Sequence, residues 1–206
     1  MGELMVPKTQ EQYRQMKDEM REKIYSGALR VFSRRGYAAT RISDIAKACG
    51  ISHGLLYHYF SSKDEIFTDL VLNAVTSSAN ALLYTEKIEA PAIQKIEWIT
   101  TEILKNIGTD SDSAYYFFLM IQISVTESLP QAAIEAMKKA STPNEVMGRM
   151  IAEGQQQGDI VEGDIAALTN AYWAAINGLA VFQIAYAGNL VIPDPVVIMR
   201  ILKKEK

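Results

Sequence analysis

A chain of 206 residues, 49% apolar and 22% charged, is long enough for one large domain or two smaller ones and lacks the composition of a disordered polymer. Its single cysteine, Cys49, excludes an intramolecular disulfide and favours a reducing, cytoplasmic location, and the N-terminus contains no apolar run of signal-peptide length. The formal net charge of −3 argues against a uniformly basic nucleic-acid-binding protein.

Charge is distributed unevenly along the chain. Residues 21–63 contain eight basic and two acidic residues, a net charge of +6, whereas residues 68–206 contain ten basic and sixteen acidic residues, a net charge of −6. A basic segment joined to an acidic one is expected when one part binds nucleic acid and the other does not. Two ordinarily solvated surfaces would give the same pattern, so charge alone leaves both interpretations open.

Helical spacing of apolar residues recurs along the chain and strand signals are scarce, which predicts an all-α protein. Apolar and small residues three and four apart predict a first helix from about Met20 that stops near Gly36. Thr40 is a suitable N-cap for a second helix, which we expect to end at Gly50.

A third and a fourth helix follow closely. Ser52 can cap a third helix that runs through Phe60. The segment "SSKDEIF" begins a fourth helix, with two acidic residues in its first turn, that runs to about Leu83. Further helices are predicted at about 90–107, 112–127, 131–140, 143–157, 164–187 and 195–204, with prolines near starts and glycines near ends.

The run from Ile165 to Pro193 contains no charged residue over 29 positions and is long enough to span a bilayer. Four side-chain amides interrupt it, and aspartates rather than basic clusters flank it. A buried or subunit-interface helix therefore fits better than a membrane span.

The stretch "GISHGLLYHYFSSK" raises the question of why Gly54 lies inside a short helix, where glycine costs about 1 kcal/mol relative to alanine. On a helix, Leu56 and Phe60 share one face, while Gly54 and His58 point the opposite way. Two short helices joined by a glycine-containing turn describe a helix-turn-helix, whose second helix enters the major groove. Because Gly54 has no side chain, the backbone of this helix could approach DNA closely. The alternative is that Gly54 has no functional role and that the neighbouring aromatic residues only pack in the core.

Residues 40–67, "TRISDIAKACGISHGLLYHYFSSKDEIF", resemble the DNA-binding motif of the tetracycline-repressor-like (TetR) family of bacterial transcription regulators. The likeness covers the T-x-I-x-D-I-A segment, the A-x-G-I-S turn, the G-x-L-Y-x-Y-F helix and the S-K-D-E restart, and "ALRVFSRRGYAAT" matches the preceding helix. It implies an N-terminal tail over 1–15, a three-helix helix-turn-helix domain over 16–63, and a helical effector-binding and dimerisation domain over 64–206.

The resemblance also implies which residues contact DNA. Groove or base-edge contacts are expected from Ser52, His53, Gly54 and Leu55. Phosphate contacts are expected from Thr40, Tyr57, Tyr59 and Lys63, with Arg41 and His58 as additions. Leu55 departs from the small or polar residue frequent in the family and suggests apolar contact with a thymine methyl group. His53 replaces a frequently basic residue, which makes its contact weaker or pH-dependent.

A single helix-turn-helix reads few base pairs, so a symmetric dimer is expected, with the uncharged run as candidate surface. The resemblance implies that the last two helices pair with those of a second copy; the alternative is an intramolecular core helix. It also implies a cavity for a small, largely apolar effector, although aromatics and methionines more often form a core. The candidate ligand contacts are Trp98, Tyr115, Phe118, Gln122, Met147, Met150, Asn170, Trp173 and Asn177.

The main alternative function for this chain is that of an enzyme. Both histidines lie in the helix-turn-helix and Cys49 has no partner in the sequence, so we expect no catalytic site, metal or cofactor. The sequence therefore predicts a ligand-responsive DNA-binding regulator, a repressor released by a small molecule. The alternative is a helical ligand-binding or interaction protein that keeps this fold without specific DNA binding.

Overall fold

The structure, a computed structural model, describes residues 10–109, 111–139, 143–186 and 189–204. These residues form ten α-helices, and the only strand-like pairing among them is an isolated bridge between Ile160 and Lys203. The all-α prediction is thus confirmed. The helices are α1 (Gln10–Ala39), α2 (Ile42–Cys49), α3 (His53–Tyr59), α4 (Lys63–Glu86), α5 (Ala92–Thr109), α6 (Ser111–Ser124), α7 (Gln131–Lys139), α8 (Pro143–Gln157), α9 (Ile165–Ala185) and α10 (Pro195–Met199).

The chain divides into two compact units, and α4 belongs to both. The first unit extends to Phe67 and the second begins at Thr68, whereas the sequence analysis placed the boundary after Lys63. The first turn of α4 belongs with the first unit because the Phe67 ring packs 5.0 Å from Phe32 and 4.7 Å from Tyr37.

Helix α1 begins at Gln10, so residues 10–15 of the predicted tail are helical, and residues 1–9 lie outside the described part of the chain. The helix is interrupted at Gly36, whose φ of 75° and ψ of 162° are not helical. Because L side chains rarely adopt a positive φ, glycine suits this break, which lies where the sequence predicted the first helix to stop.

The predicted N-cap of α2 is one residue early. Arg41 occupies the cap position in extended conformation, and its backbone N–H donates to Asp44 Oδ2 at 3.0 Å. At the other end, Gly50 adopts a left-handed φ of 62° and closes the helix, as predicted. Ser52 Oγ accepts from the Leu55 N–H at 3.1 Å, which confirms Ser52 as the N-cap of α3.

The core of the second unit is built from α5, α6, α8 and α9, with buried side chains such as Ile96, Leu104, Met150 and Ile176. The hydroxyl groups of Thr100 and Tyr172 make a polar contact inside this core, 2.9 Å apart. Burial raises the pKa of Tyr172 to about 12, so this phenol stays protonated in the folded chain.

A charged cluster ties the end of α4 to α8. Arg149 donates two hydrogen bonds to the Glu86 carboxylate, at 2.7 and 2.8 Å, and these hold the pKa of Glu86 below its usual range. Lys95 Nζ donates to the Glu86 carbonyl oxygen at 3.2 Å and to Glu153. The last turn of α4 therefore has partners for both its carbonyl oxygen and its carboxylate.

The predicted last helix, 195–204, is wrong in length, because α10 ends at Met199. The chain then turns and pairs with the segment after α8, where the Val161 N–H donates to Leu202 O and the Lys204 N–H donates to Asp159 O. Met199 and Leu202 are buried in their own unit. Val196 and Val197 of α10, by contrast, remain 44% and 49% exposed.

Helices α4 and α9 are each long and apolar enough to cross a membrane by length and composition alone. Leu70 and Val71 of α4, and Tyr172 and Ile176 of α9, are nevertheless fully buried within the fold. Apolar residues on such faces are expected for core helices of a folded protein.

Candidate nucleic-acid interface

Helix α3 has one buried and one open face. Leu56 is fully buried and Phe60, its C-cap, is 1% exposed, so these two side chains anchor the helix to the first unit. The opposite face carries the exposed residues that the sequence analysis expected to meet a duplex. They are Ser52, His53, Gly54, Leu55, Tyr57 and His58.

Gly54 is open on all sides. A Cβ built on its backbone has no heavy atom within 4 Å outside its own helix and chain neighbours, and its φ is not positive. The fold therefore gives no steric or conformational reason for glycine at this position. The backbone at Gly54 is thus open to an approaching molecule.

Aromatic rings support one another around Gly54. The His53 ring lies edge-on to Tyr57 with centroids 4.9 Å apart, and His58 stands edge-on to Tyr59 at 5.5 Å. Leu55, 37% exposed, offers an apolar tip among these polar groups. Together they present donors, acceptors and one methyl-bearing side chain, which are the groups used to read groove edges and phosphates.

Most of the positive charge of the first unit faces solvent. Arg41 and Lys47 on α2 are exposed, and Arg35 pairs with Asp44 at 3.1 Å while remaining 58% exposed. Surface cations of this kind supply the sequence-independent part of nucleic-acid binding. The exposed basic residues between positions 21 and 63 are Lys23, Arg30, Arg34, Arg35, Arg41 and Lys47.

Thr40 and Lys63, both predicted to contact a phosphate, have hydrogen-bond partners inside the first unit. Thr40 is 1% exposed, and its hydroxyl donates to the Gly36 carbonyl oxygen at 2.7 Å. Lys63 Nζ donates to the carbonyl oxygens of Tyr37 and Thr40 at 3.0 and 2.9 Å and lies 4.4 Å from the Tyr37 ring centroid. Their positions are explained by the break after Gly36, whose free carbonyl groups they satisfy.

Tyr37 and Asp64 close the same junction. Tyr37 Oη donates to Asp64 Oδ1 at 2.6 Å, and burial together with this carboxylate raises the pKa of Tyr37 to about 12. The start of α4 is therefore bonded to the end of α1 through Asp64 as well as Lys63.

Sequence reasoning missed Arg21. Its guanidinium donates to Tyr25 Oη at 2.8 Å and to the Tyr59 carbonyl oxygen at 3.3 Å, and its Cζ lies 4.4 Å from the Phe60 ring centroid. The one available signal was the Arg21–Tyr25 spacing of four residues, which places both on one side of a helix. Nothing in the sequence points from Arg21 to Tyr59, 38 positions away.

The nine candidate ligand contacts of the second unit are not all interior. Tyr115, Met147 and Met150 are buried, whereas Phe118, Gln122, Trp173 and Asn177 are partly exposed. Trp98 is 44% exposed beside Tyr84, and Asn170 is exposed. Trp98 and Asn170 thus lie at the surface and not in the interior of the second unit, and the ligand contacts stay a prediction.

The buried face of α9 differs from the one through Asn170 that the sequence analysis selected. The buried residues of α9 are Thr169, Tyr172, Ile176, Ala180 and Gln183. The face through Asn170 lies about 100° from this one, since successive helical residues are separated by that angle. Two polar atoms on the inner side, Trp173 Nε1 and Gln183 Oε1, are buried without a hydrogen-bond partner.

Comparison with known proteins gives the same picture for the first unit. The family model described as bacterial regulatory proteins, tetR family, matches residues 24–70, which include α2, α3 and the residues that anchor them. The HTH-type transcriptional regulator AcrR of Shigella flexneri is 29% identical over 98 residues, 47% of this chain and 46% of AcrR. The UidR regulator of Escherichia coli K12 is 27% identical over 153 residues, 73% of this chain and 74% of UidR.

This chain thus spans about half the length of AcrR and about three quarters of the length of UidR. Among solved structures, a putative fatty acid metabolism regulator from Clostridium perfringens has a TM-score of 0.67 at 20% identity, covering 87% of this chain and 96% of its own. At that identity the likeness concerns the fold. The match of the family model to residues 24–70 shows that this segment carries the helix-turn-helix of bacterial regulatory proteins of the tetR family, and the named relatives are HTH-type transcriptional regulators.

Proposed function

We propose that this protein is a cytoplasmic, dimeric DNA-binding transcription regulator that binds a pseudo-palindromic operator as a repressor and is released by a small, largely apolar molecule. The observation that carries the proposal is the open face of α3, where an uncrowded Gly54 lies among exposed polar and aromatic side chains. The exposed basic residues of the first unit support it, since they would attract the phosphate backbone.

The test is titration of the protein against duplexes recovered from a random pool by selection, and against an unrelated duplex of equal length. We expect the logarithm of the association constant to fall steeply and linearly with the logarithm of salt concentration, with the selected duplex bound more tightly. A folded chain that binds neither duplex at low salt contradicts DNA binding and favours the alternative, an interaction protein with this fold.

The dimer surface is best supported on the outer side of α9. This side combines small exposed residues with the Phe182 and Tyr186 rings, which are 52% and 58% exposed and lie 6.0 Å apart. Small residues let two helices approach closely, and uncharged apolar surface favours burial against a second copy. Helix α10 adds Val196 and Val197, 44% and 49% exposed. The exposed small residues of α9 are Ala166, Ala167, Ala171, Ala174 and Ala185.

Ala174→Glu tests this surface, because a carboxylate would be buried between two copies. We expect sedimentation equilibrium to show a dimer for the wild type and a monomer for A174E. Gln94→Glu, which adds the same charge at an exposed site on α5, is the control and stays dimeric. A wild-type chain that sediments as a monomer at all concentrations contradicts the dimer.

The effector is best accommodated in the second unit. Its core is apolar, and the partnerless Trp173 Nε1–H would donate a hydrogen bond to an oxygen of a bound molecule. The buried ammonium of Lys95 is already paired with Glu153, which disfavours an anionic headgroup there. A neutral, mostly apolar molecule with one acceptor therefore fits best.

Dodecanol and dodecanoate test this inference, since they share a chain length and differ in headgroup charge. We expect dodecanol to raise the melting temperature and weaken binding to the selected duplex more than dodecanoate does. Trp173→Phe removes the N–H donor and reduces the dodecanol effect, while Trp98→Phe, at an exposed site, leaves it intact. Equal responses of the two variants contradict the assignment of Trp173.

A further inference from the structure

Helix α3 is too short to determine its own direction. It comprises seven residues, His53–Tyr59, and isolated helices below about 12–15 residues are marginal in water. Ser52 caps its first turn, and Leu56 is the one residue of the helix that is buried. The direction of α3 within the first unit therefore depends in part on the contacts at its C-terminal end.

Arg21, on α1, makes two contacts with that end of α3, and a third contact, within α1, orients the guanidinium. Nη1 donates to the carbonyl oxygen of Tyr59, the last residue of α3, at 3.3 Å. The guanidinium lies over the ring of Phe60, with Cζ 4.4 Å from the centroid, and Nη2 donates to Tyr25 Oη at 2.8 Å. A cation at a helix C-terminus is favourable both for the free carbonyl groups and for the helix dipole.

The same arginine lies beside the next turn of the chain. The Glu65 carboxylate accepts from the backbone N–H and the hydroxyl of Ser61, each at 2.7 Å, and closes the start of α4. These hydrogen bonds, with a smaller contribution from the charge of Arg21, lower the pKa of Glu65. The charge of Arg21 is thus felt on the α4 side of the α3–α4 junction, while its hydrogen bond is to the α3 side.

We propose that Arg21 is a positioning residue for duplex recognition, which fixes the direction in which α3 presents Gly54 and His58 without contacting DNA itself. The planar guanidinium does this by donating hydrogen bonds to both the Tyr59 carbonyl oxygen and Tyr25 Oη while it stacks on the Phe60 ring. The assignment rests on the proposed DNA binding.

Arg21→Met is the principal test, because methionine keeps an apolar stem over Phe60 and removes every donor. Lys23→Met is the matched control, since it removes one positive charge from an exposed residue two positions along the same helix. The probes are a duplex selected with the wild type and an unrelated duplex of equal length. We expect R21M to lose about tenfold in affinity for the selected duplex relative to K23M, with a similar salt slope.

Hydrogen exchange of the free protein gives a second readout that needs no DNA. We expect the amides of α3 to exchange faster in R21M than in K23M, while the amides of the second unit are unchanged. Arg21→Lys keeps the positive charge but lacks the planar guanidinium. We expect its α3 amides also to exchange faster, and its affinity for the selected duplex to be lower than that of the wild type. R21K additionally covers the case in which R21M does not fold.

Three results overturn the assignment of Arg21. The first is equal affinity and exchange in R21M and K23M, and the second is wild-type behaviour of R21K. The third is a salt slope that falls by about one in R21M but not in K23M, which would make Arg21 a phosphate contact. If the wild type binds neither duplex, the proposed function fails, while hydrogen exchange still decides whether Arg21 holds α3.

Discussion

Lys95 and Glu153 form an ion pair at 3.2 Å in which the lysine side chain is only 8% exposed and the glutamate 39%. The ammonium also donates to the Glu86 carbonyl oxygen, so removing the carboxylate leaves a nearly buried cation with weaker acceptors. This asymmetry distinguishes the pair from the surface ion pairs of the chain.

Glu153→Gln is therefore expected to lower the free energy of unfolding by about 1–3 kcal/mol, measured by urea denaturation. Glu162→Gln is the control, because Glu162 is 90% exposed and lies 4.0 Å from Lys204. That surface pair contributes about 0–1 kcal/mol. Equal losses in the two variants would show that the burial of Lys95 has no energetic consequence.

Gly54→Ala separates stability from DNA binding. Because a Cβ at position 54 meets no atom of the fold, alanine is expected to raise the free energy of unfolding by about 0.5–1 kcal/mol through helix propensity. The same methyl group would keep a duplex from the backbone of α3 and weaken binding.

Gly148→Ala is the control for Gly54→Ala, since Gly148 lies on α8 and its Cβ would make ordinary contacts with α9, the nearest at 3.5 Å to Ile165. We expect G148A to leave affinity for a selected duplex unchanged. A G54A protein that is more stable and binds that duplex as well as the wild type would show that close approach of DNA does not explain the glycine.

Acid stability depends partly on Glu65. Hydrogen bonds from Ser61 lower the pKa of Glu65 in the folded chain below that of the unfolded chain. The folded state then binds fewer protons, so this contribution is present above the unfolded pKa of about 4.3 and is lost as pH falls through the folded pKa. Glu65→Gln should therefore destabilise the protein more at neutral pH than in acid, with Glu97→Gln as the control for loss of one charge. A difference from wild type that is constant with pH would contradict the linkage.

Alkaline stability depends on Tyr37. Burial and the Asp64 carboxylate raise the pKa of Tyr37 to about 12. Because its folded pKa is above the unfolded value of about 10, its contribution is complete below that pH and is lost as pH rises towards the folded value. A tyrosinate absorbance titration of Tyr37→Phe should lack one late-ionising group of the wild type, and Tyr172→Phe should lack another. Unchanged late ionisation in Y37F would mean that Tyr37 is not the protected phenol.

The helices and the open face of α3 were predictable because local rules determine them. Ser52 and Gly50 follow capping preferences, and the spacing of Leu56 and Phe60 identifies the buried face. The roles of Thr40 and Lys63 were not predictable, because they depend on carbonyl groups freed by the break at Gly36, which only the folded chain brings near. The exposure of Asn170 was missed because α9 is apolar on nearly every side, so its sequence gives no preferred buried face.

Because Cys49 packs against Gly27, the reactivity of its thiol reports on opening of the first unit. A Cβ on Gly27 would lie 2.4 Å from Cys49 Sγ, and the thiol is 4% exposed with a pKa raised by burial. Because this is the only cysteine of the chain, a thiol reagent added to the native protein modifies one sulfur, and only after α1 and α2 separate. The rate of that modification measures how often the helix-turn-helix opens, and no engineered cysteine is needed.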